Sequence, residues 1–124
     1  MGKSMCVWFE IPVVDMDRAR SFYGSVFGWE IPVQDVGNVT MGFFPMDETW
    51  DNSGALVHHP DHKTSRDGVR VYMNGGEDLA ETLARVEPAG GKVIVNKTHI
   101  SDEIGYFAIF ADTEGNAVAL HSPK

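Results

Sequence analysis

Residues 58–62 read His-His-Pro-Asp-His: three imidazoles and a carboxylate in five positions, side chains of the kind that hold divalent metals. Their spacing argues against a metal site. His58 and His59 are neighbours that follow the apolar run "SGALV", and in a strand adjacent side chains point to opposite faces. Pro60 holds His59 extended and blocks a helix, so His58 and His62 do not form the i, i+4 pair of a helical zinc site. The expectation is a solvated linker segment. A loop-formed or intersubunit metal site is the competing reading.

Glu10 is the sharper signal. It interrupts an apolar strand pattern and shares its parity with Trp8. A carboxylate there is either a cavity group acting as general base or hydrogen-bond acceptor, or one half of a structural ion pair. A lone buried carboxylate is costly, so a partner is expected in either case. Cys6 is the only cysteine, which rules out an internal disulfide, and its place at the start of a strand pattern predicts a small buried hydrophobe. The "MNGGED" stretch lacks a phosphate-binding glycine pattern and is expected to absorb an extra loop residue. No Ser/His/Asp or Cys/His order stands out as a nucleophile system.

The elements that must position these groups are legible from periodicity. In "CVWFEIPVVD", Val7, Phe9, Ile11 and Val13 share one face and Trp8, Glu10 and Pro12 the other, as in a half-buried strand. Asp15 is placed to cap a helix over about 16–26, in which Ala19, Phe22, Tyr23 and Val26 recur at helical spacing. Gly28 stops the helix and "WEIPVQDV" returns as a strand. "GVRVYMNGGEDLAETLARVEPAGGKVIVN" repeats the order strand, acidic helix start, helix, glycine, strand. Gly90 lies 62 residues after Gly28, and Glu77 lies 62 after Asp15. At that offset Trp8 falls on Arg70 and Glu10 on Tyr72, so Arg70 is the expected ion-pair partner of Glu10. Short strands close each half: "NVTMGFFPM" and "SGALVHH" around the loop "DETWDN", then "GYFAIFA" and "AVALHS" around the tight turn "DTEGN". The polar segment "PDHKTSRDG" is the expected linker. "NKTHISDEIG", with Lys97 and His99, is expected to be a loop at a cavity mouth.

With 124 residues the chain has room for one domain. A formal net charge of −8 argues against nucleic acid and anionic membrane as partners, both of which carry the same sign. No apolar run approaches a membrane span, and "MGKSMCVW" has no apolar core of a secretory signal. A reducing cytoplasm is the expected location.

The opening "IPVVDMDRARSFYGSVFGWEI" and the closing "FADTEGNAVALHS" resemble the vicinal oxygen chelate superfamily, the glyoxalase/bleomycin-resistance/dioxygenase group, with Thr113 where a proline is usual. The resemblance implies an α+β fold of two βαβββ modules, about 5–60 and about 67–122, in a single domain spanning 1–124 and enclosing a cavity between curved sheets. It also implies a homodimer. Catalytic members resemble one another in a divalent metal held by His, Gln or Glu from the first and last strands of each module. Carried over, those positions fall on Trp8, Arg70, Ala119 and either Leu56 or Val57. None of these is a metal ligand, and the fixed cation of Arg70 repels a divalent ion.

The expectation is therefore a protein without the superfamily metal and without any other cofactor. It would bind a small anionic or aromatic molecule, with Glu10, Arg70, Tyr72 and His121 as polar contacts, Trp8 as a flat wall and Ala119 on the floor. His121 shares the parity of Ala119, two residues on; a rim histidine is its blander reading. Glu10 is the candidate base of any proton-transfer chemistry. The alternative is a metal-dependent lyase, isomerase or dioxygenase whose Zn, Ni, Fe or Mn site is rebuilt from His58, His121 and Glu10.

Overall fold

The computed structural model describes residues 5–46 and 53–124, so the expected loop at 47–52 lies outside the described residues. The element order is β1 (Trp8–Pro12), α1 (Met16–Phe27), β2 (Val33–Val36), β3 (Val39–Phe43), β4 (Ser53–His58), β5 (Tyr72–Asn74), α2 (Leu79–Leu83), β6 (Lys92–Ser101), β7 (Gly105–Ala111) and β8 (Ala117–Ser122). Two four-stranded mixed sheets result, ordered β1-β4-β3-β2 and β5-β8-β7-β6. This is the α+β architecture of two βαβββ modules that the repeat predicts.

Each helix is set by its cap. The Asp15 carboxylate accepts from Arg18 N at 3.1 Å, and α1 ends at Gly28, whose φ of +73° suits glycine. The second cap is Asp78, not Glu77, and it accepts from Ala80 N at 2.9 Å. The residue absorbed in "MNGG" moves the cap one position later, while Gly90 keeps its place relative to Gly28. Pro88 disfavours helical backbone at Glu87, in keeping with a helix that stops short at Leu83.

Backbone hydrogen bonds fix the register between modules. Val13 N donates to Val57 O at 2.9 Å, and Gly75 N donates to His121 O at 2.7 Å. These are the same bond repeated, so Val57 corresponds to His121 and Ala55 to Ala119. Glu10 pairs with Ala55 just as Tyr72 pairs with Ala119. The first-module equivalent of Ala119 is therefore Ala55, not Leu56 or Val57. Sequence parity along one strand does not reveal the stagger across the ladder.

The helix-facing sides of both sheets feed one core. Ile11, Leu56 and Phe44 from the first module and Met73, Phe110 and Leu120 from the second are buried together with Phe22, Tyr23 and Val26 of α1. The Tyr23 ring meets Phe44 at 5.7 Å and Phe110 at 6.5 Å, so a single residue of α1 bridges the halves. Burying such a ring is worth several kcal/mol, and truncation to alanine costs about 3–5 kcal/mol.

A polar clamp reinforces this junction, and it is built from the turn "DTEGN". Glu114 accepts from Val14 N at 2.9 Å, Asp15 N at 2.8 Å and the Arg18 guanidinium at 2.7 and 3.0 Å. Beside it, Asp112 accepts from Tyr23 Oη at 2.7 Å and from Asn116 Nδ2 at 2.9 Å. Burial pushes the Tyr23 hydroxyl well above its ordinary range, and the Asp112 charge adds to that. Asn116 also donates to Pro12 O at 2.8 Å and accepts from Ser65 N at 3.3 Å. One turn thus ties together the end of β1, the start of α1 and the linker. No helix among the described residues is long and apolar enough to cross a membrane.

Candidate functional site

The side of the first sheet that faces away from the helix is not filled by other elements. Register puts Glu10, Ala55 and Phe43 in one row across it, and Pro12, Val57, Met41 and Gln34 in the next. A cavity of about 330 Å³ opens there, walled by Glu10, Val36, Val39, Met41 and Val57 and rimmed by His59 and His62. A second cavity, of about 440 Å³, runs along β1 toward the approach to β5, with Trp8, Val69, Val71 and Val118 in its walls. Glu10 and His62 line both, so the two form neighbouring parts of one cleft. Its size is that of a small-molecule site, with mostly apolar walls and a few polar groups.

Glu10 is exposed, and its carboxylate accepts from Trp8 Nε1 at 3.3 Å. The Trp8 ring, which gives the larger cavity an aromatic wall, lies 6.2 Å from Phe43. The expected Glu10–Arg70 ion pair does not form. Arg70 precedes the three residues of β5 that are laddered, is exposed, makes no salt bridge among the described residues and lines neither cavity. A carboxylate open to water needs no such partner.

The remaining candidates fall elsewhere. Tyr72, 56% exposed, pairs with buried Ala119 on the open side of the second sheet. His121 lies on that same side, where Nε2 donates to Ile104 O at 2.6 Å. His58 turns the other way, its Nδ1 donating to Val13 O at 3.1 Å. Glu10, His58 and His121 are therefore not brought together. Among the described residues no three His, Cys, Asp or Glu side chains are grouped to hold a metal.

Several groups depart from the sequence reading. Cys6 is exposed at the edge of the larger cavity rather than buried. Lys97 and His99 belong to the ten-residue strand β6, not to a loop. Lys97 Nζ reaches Asp78 at 2.8 Å and sits 4.5 Å from the Tyr106 ring centroid, and His99 meets Asp102 at 3.1 Å. The hydrogen bond from Lys97, then that from Ala80 N, holds the Asp78 carboxyl below its usual range. The linker histidines His59 and His62 line the cleft rather than standing free of it. The signal for His59 was its parity with Val57; His62 carried none.

Known proteins share this fold. A model of the Glyoxalase/Bleomycin resistance protein/Dioxygenase superfamily matches residues 6–120. A glyoxylase-like domain-containing protein from Didymella fabae is 28% identical over 115 residues, 90% of this chain and 88% of that protein. Among solved structures, a glyoxalase I mutant from Zea mays superposes with a TM-score of 0.74 at 20% identity, covering 96% of this chain. The chain spans only 46% of that enzyme's length. TnmS3, an antibiotic binding protein from Streptomyces sp. CB03234, superposes with a TM-score of 0.65 at 21% identity over 100% of this chain and 99% of that one.

Proposed function

Since the chain belongs to the Glyoxalase/Bleomycin resistance protein/Dioxygenase superfamily, we propose that it is a small-molecule-binding protein that works without a divalent metal and holds an aromatic ligand in the Glu10 cleft. The observation that carries this reading is the chemistry at the four positions where a superfamily metal would find its ligands. Trp8 offers an indole N–H already turned to Glu10, Arg70 a guanidinium, and Ala55 and Ala119 buried methyl groups. None has a lone pair to give a cation, whereas a catalytic metal needs about three protein ligands. The residues present do not fit the metal.

What they do fit is a flat apolar molecule. Trp8 supplies a ring face, Val39, Met41 and Val57 an aliphatic floor, and Glu10 one strong acceptor. With Arg70 outside the cleft and the Glu10 carboxylate lining both of its parts, an anion would meet a like charge there, so the aromatic ligand is preferred to the anionic one. That TnmS3, of the same fold, is an antibiotic binding protein supports a sequestering role. If the chain is also catalytic, Glu10 is the base that would take a proton from the bound molecule. A cytoplasmic homodimer belongs to the same reading. Val69, 93% exposed, and Tyr72 leave apolar surface beside the open second sheet that a second copy would cover.

Two measurements test the proposal. Elemental analysis of untagged protein purified without chelators should find no stoichiometric transition metal. Calorimetric titration with aromatic probes should show saturable binding that Val39→Trp, which fills the cleft from a partly exposed position, abolishes. A stoichiometric metal, or binding indifferent to Val39→Trp, would overturn it.

A further inference from the structure

The linker "HHPDH" lies outside every role assigned so far, yet two of its imidazoles share the cleft wall with Glu10. The segment is held in place from both ends. Its first residue, His58, closes β4, and seven residues later Ser65 N is tied to Asn116 Oδ1 at 3.3 Å. Between them His62 N donates to His59 O at 3.1 Å, forming a turn. Asp61 N donates to His59 Nδ1 at 3.0 Å. Because Nδ1 accepts a backbone N–H, the neutral His59 ring carries its proton on Nε2 and has a donor to spare. The His62 side chain makes no hydrogen bond among the described residues and is exposed on the rim. The other titratable groups lining the cleft are Cys6 and Lys63, both in the larger cavity.

Resting on the cleft reading above, we propose that His59 and His62 are ligand contacts. The molecule they admit is a fused-ring aromatic carrying a phenolic hydroxyl and a carbonyl set too far apart to bond each other. The chemistry is complementary. Glu10 is an acceptor only and takes the hydroxyl proton in a hydrogen bond. His59 offers a donor to the carbonyl oxygen. His62 can act in either sense and closes the rim over the ring. The Trp8 face and the aliphatic floor meet the rings themselves. A hydrocarbon of the same shape would leave Glu10 and His59 without these bonds. Each neutral hydrogen bond is worth about 1 kcal/mol net, roughly fivefold in affinity, and one to a charged group more.

The test uses the full chain and three probes: 6-acetyl-2-naphthol, which has both groups; 2-naphthol, which lacks the carbonyl; and 2-acetylnaphthalene, which lacks the hydroxyl. Dissociation constants are measured by calorimetry for the parent, His59→Ala, His62→Ala and, as a control outside the cleft, His99→Ala. The expected result is that 6-acetyl-2-naphthol binds about fivefold or more tighter than either analogue. His59→Ala should erase its advantage over 2-naphthol, His62→Ala should weaken all three, and His99→Ala should change nothing. Equal affinities for the three probes, or affinities unmoved by both linker substitutions, would overturn the assignment of the rim while leaving the cleft reading in place. Failure of all three to bind, plain 2-acetylnaphthalene included, would overturn both. Circular dichroism of each variant separates loss of contact from loss of fold.

Discussion

Glu114→Gln isolates the clamp between the modules, because it keeps the shape of the side chain and removes only its charge. Burial by itself would raise the Glu114 carboxyl. The hydrogen bonds from Arg18, Asp15 N, Thr113 and Val14 N outweigh that and hold it at about 2, against an ordinary 4.5. A drop of that size is worth about 3 kcal/mol. The Arg18 side chain is 49% exposed, so solvent screens part of its attraction, and roughly 2 kcal/mol is the better figure. For a chain of this length that corresponds to a fall in Tm of roughly 6–10 °C. The sign follows from the direction of the shift. A carboxylate whose pKa is depressed in the folded state stabilises that state fully above its unfolded value, and the contribution disappears as pH falls through the folded value. Thermal unfolding of parent and variant, followed by circular dichroism from pH 7 downward, should therefore show a constant gap to about pH 5. The gap should be half lost near roughly pH 3 and small near pH 2. Any gap that survives in acid measures the glutamine N–H₂ facing the Arg18 donors. Equal Tm values at pH 7, or a gap that stays constant into acid, would refute the assignment of the clamp's strength to the ionised carboxylate.

Three further outcomes follow from the same geometry. Tyr23→Phe removes the hydroxyl that donates to buried Asp112 and should cost about 1–3 kcal/mol in urea unfolding, with the m-value unchanged. Gly105→Ala should be more damaging than a helix-surface glycine change, by about 2 kcal/mol or more. Its φ is +104°, and an added methyl would run into the backbone of Ser122 and Pro123; a folded variant with parental Tm would contradict the close approach of β7 to the C-terminal residues. Arg70→Ala should leave the affinity for an aromatic probe within twofold or so, since Arg70 lines neither cavity; a tenfold loss would return the guanidinium to the site.

The fold was legible where one face of an element is buried. The alternation around Ile11 and the helical recurrence of Phe22, Tyr23 and Val26 both come from residues that are nearly fully enclosed. Reading failed where neither face is. β6 has exposed Lys92, Ile94, Asn96 and His99 along it, so its polar residues looked like a loop although the backbone is laddered to β7. The site was only half visible for a different reason. That Glu10 and Trp8 share a face is a property of one strand and can be seen in the sequence. Which partner sits opposite them depends on stagger between strands, so Arg70 was expected and is absent, while Ala55 was missed in favour of its neighbours. Local geometry at Pro60 correctly denied a helix, and the alternation of His58 and His59 is just what separates them. Nothing local could say that the face His59 takes is the open one.

Asn116 gives this duplicated chain an asymmetry. It lies in the last turn of the second module, yet two of its bonds, to Pro12 O and Ser65 N, hold the floor strand and the rim of the first module's cleft. The two halves are therefore not interchangeable cassettes. A first module encoded alone would lose the wall residues Val69, Val71 and Val118 and also lack the brace that sets the rim above the floor. Once one copy had become the other's scaffold, drift in the hairpin turn could retune the first module's cleft from outside that module. The same dependence would penalise any recombination event that separated the copies.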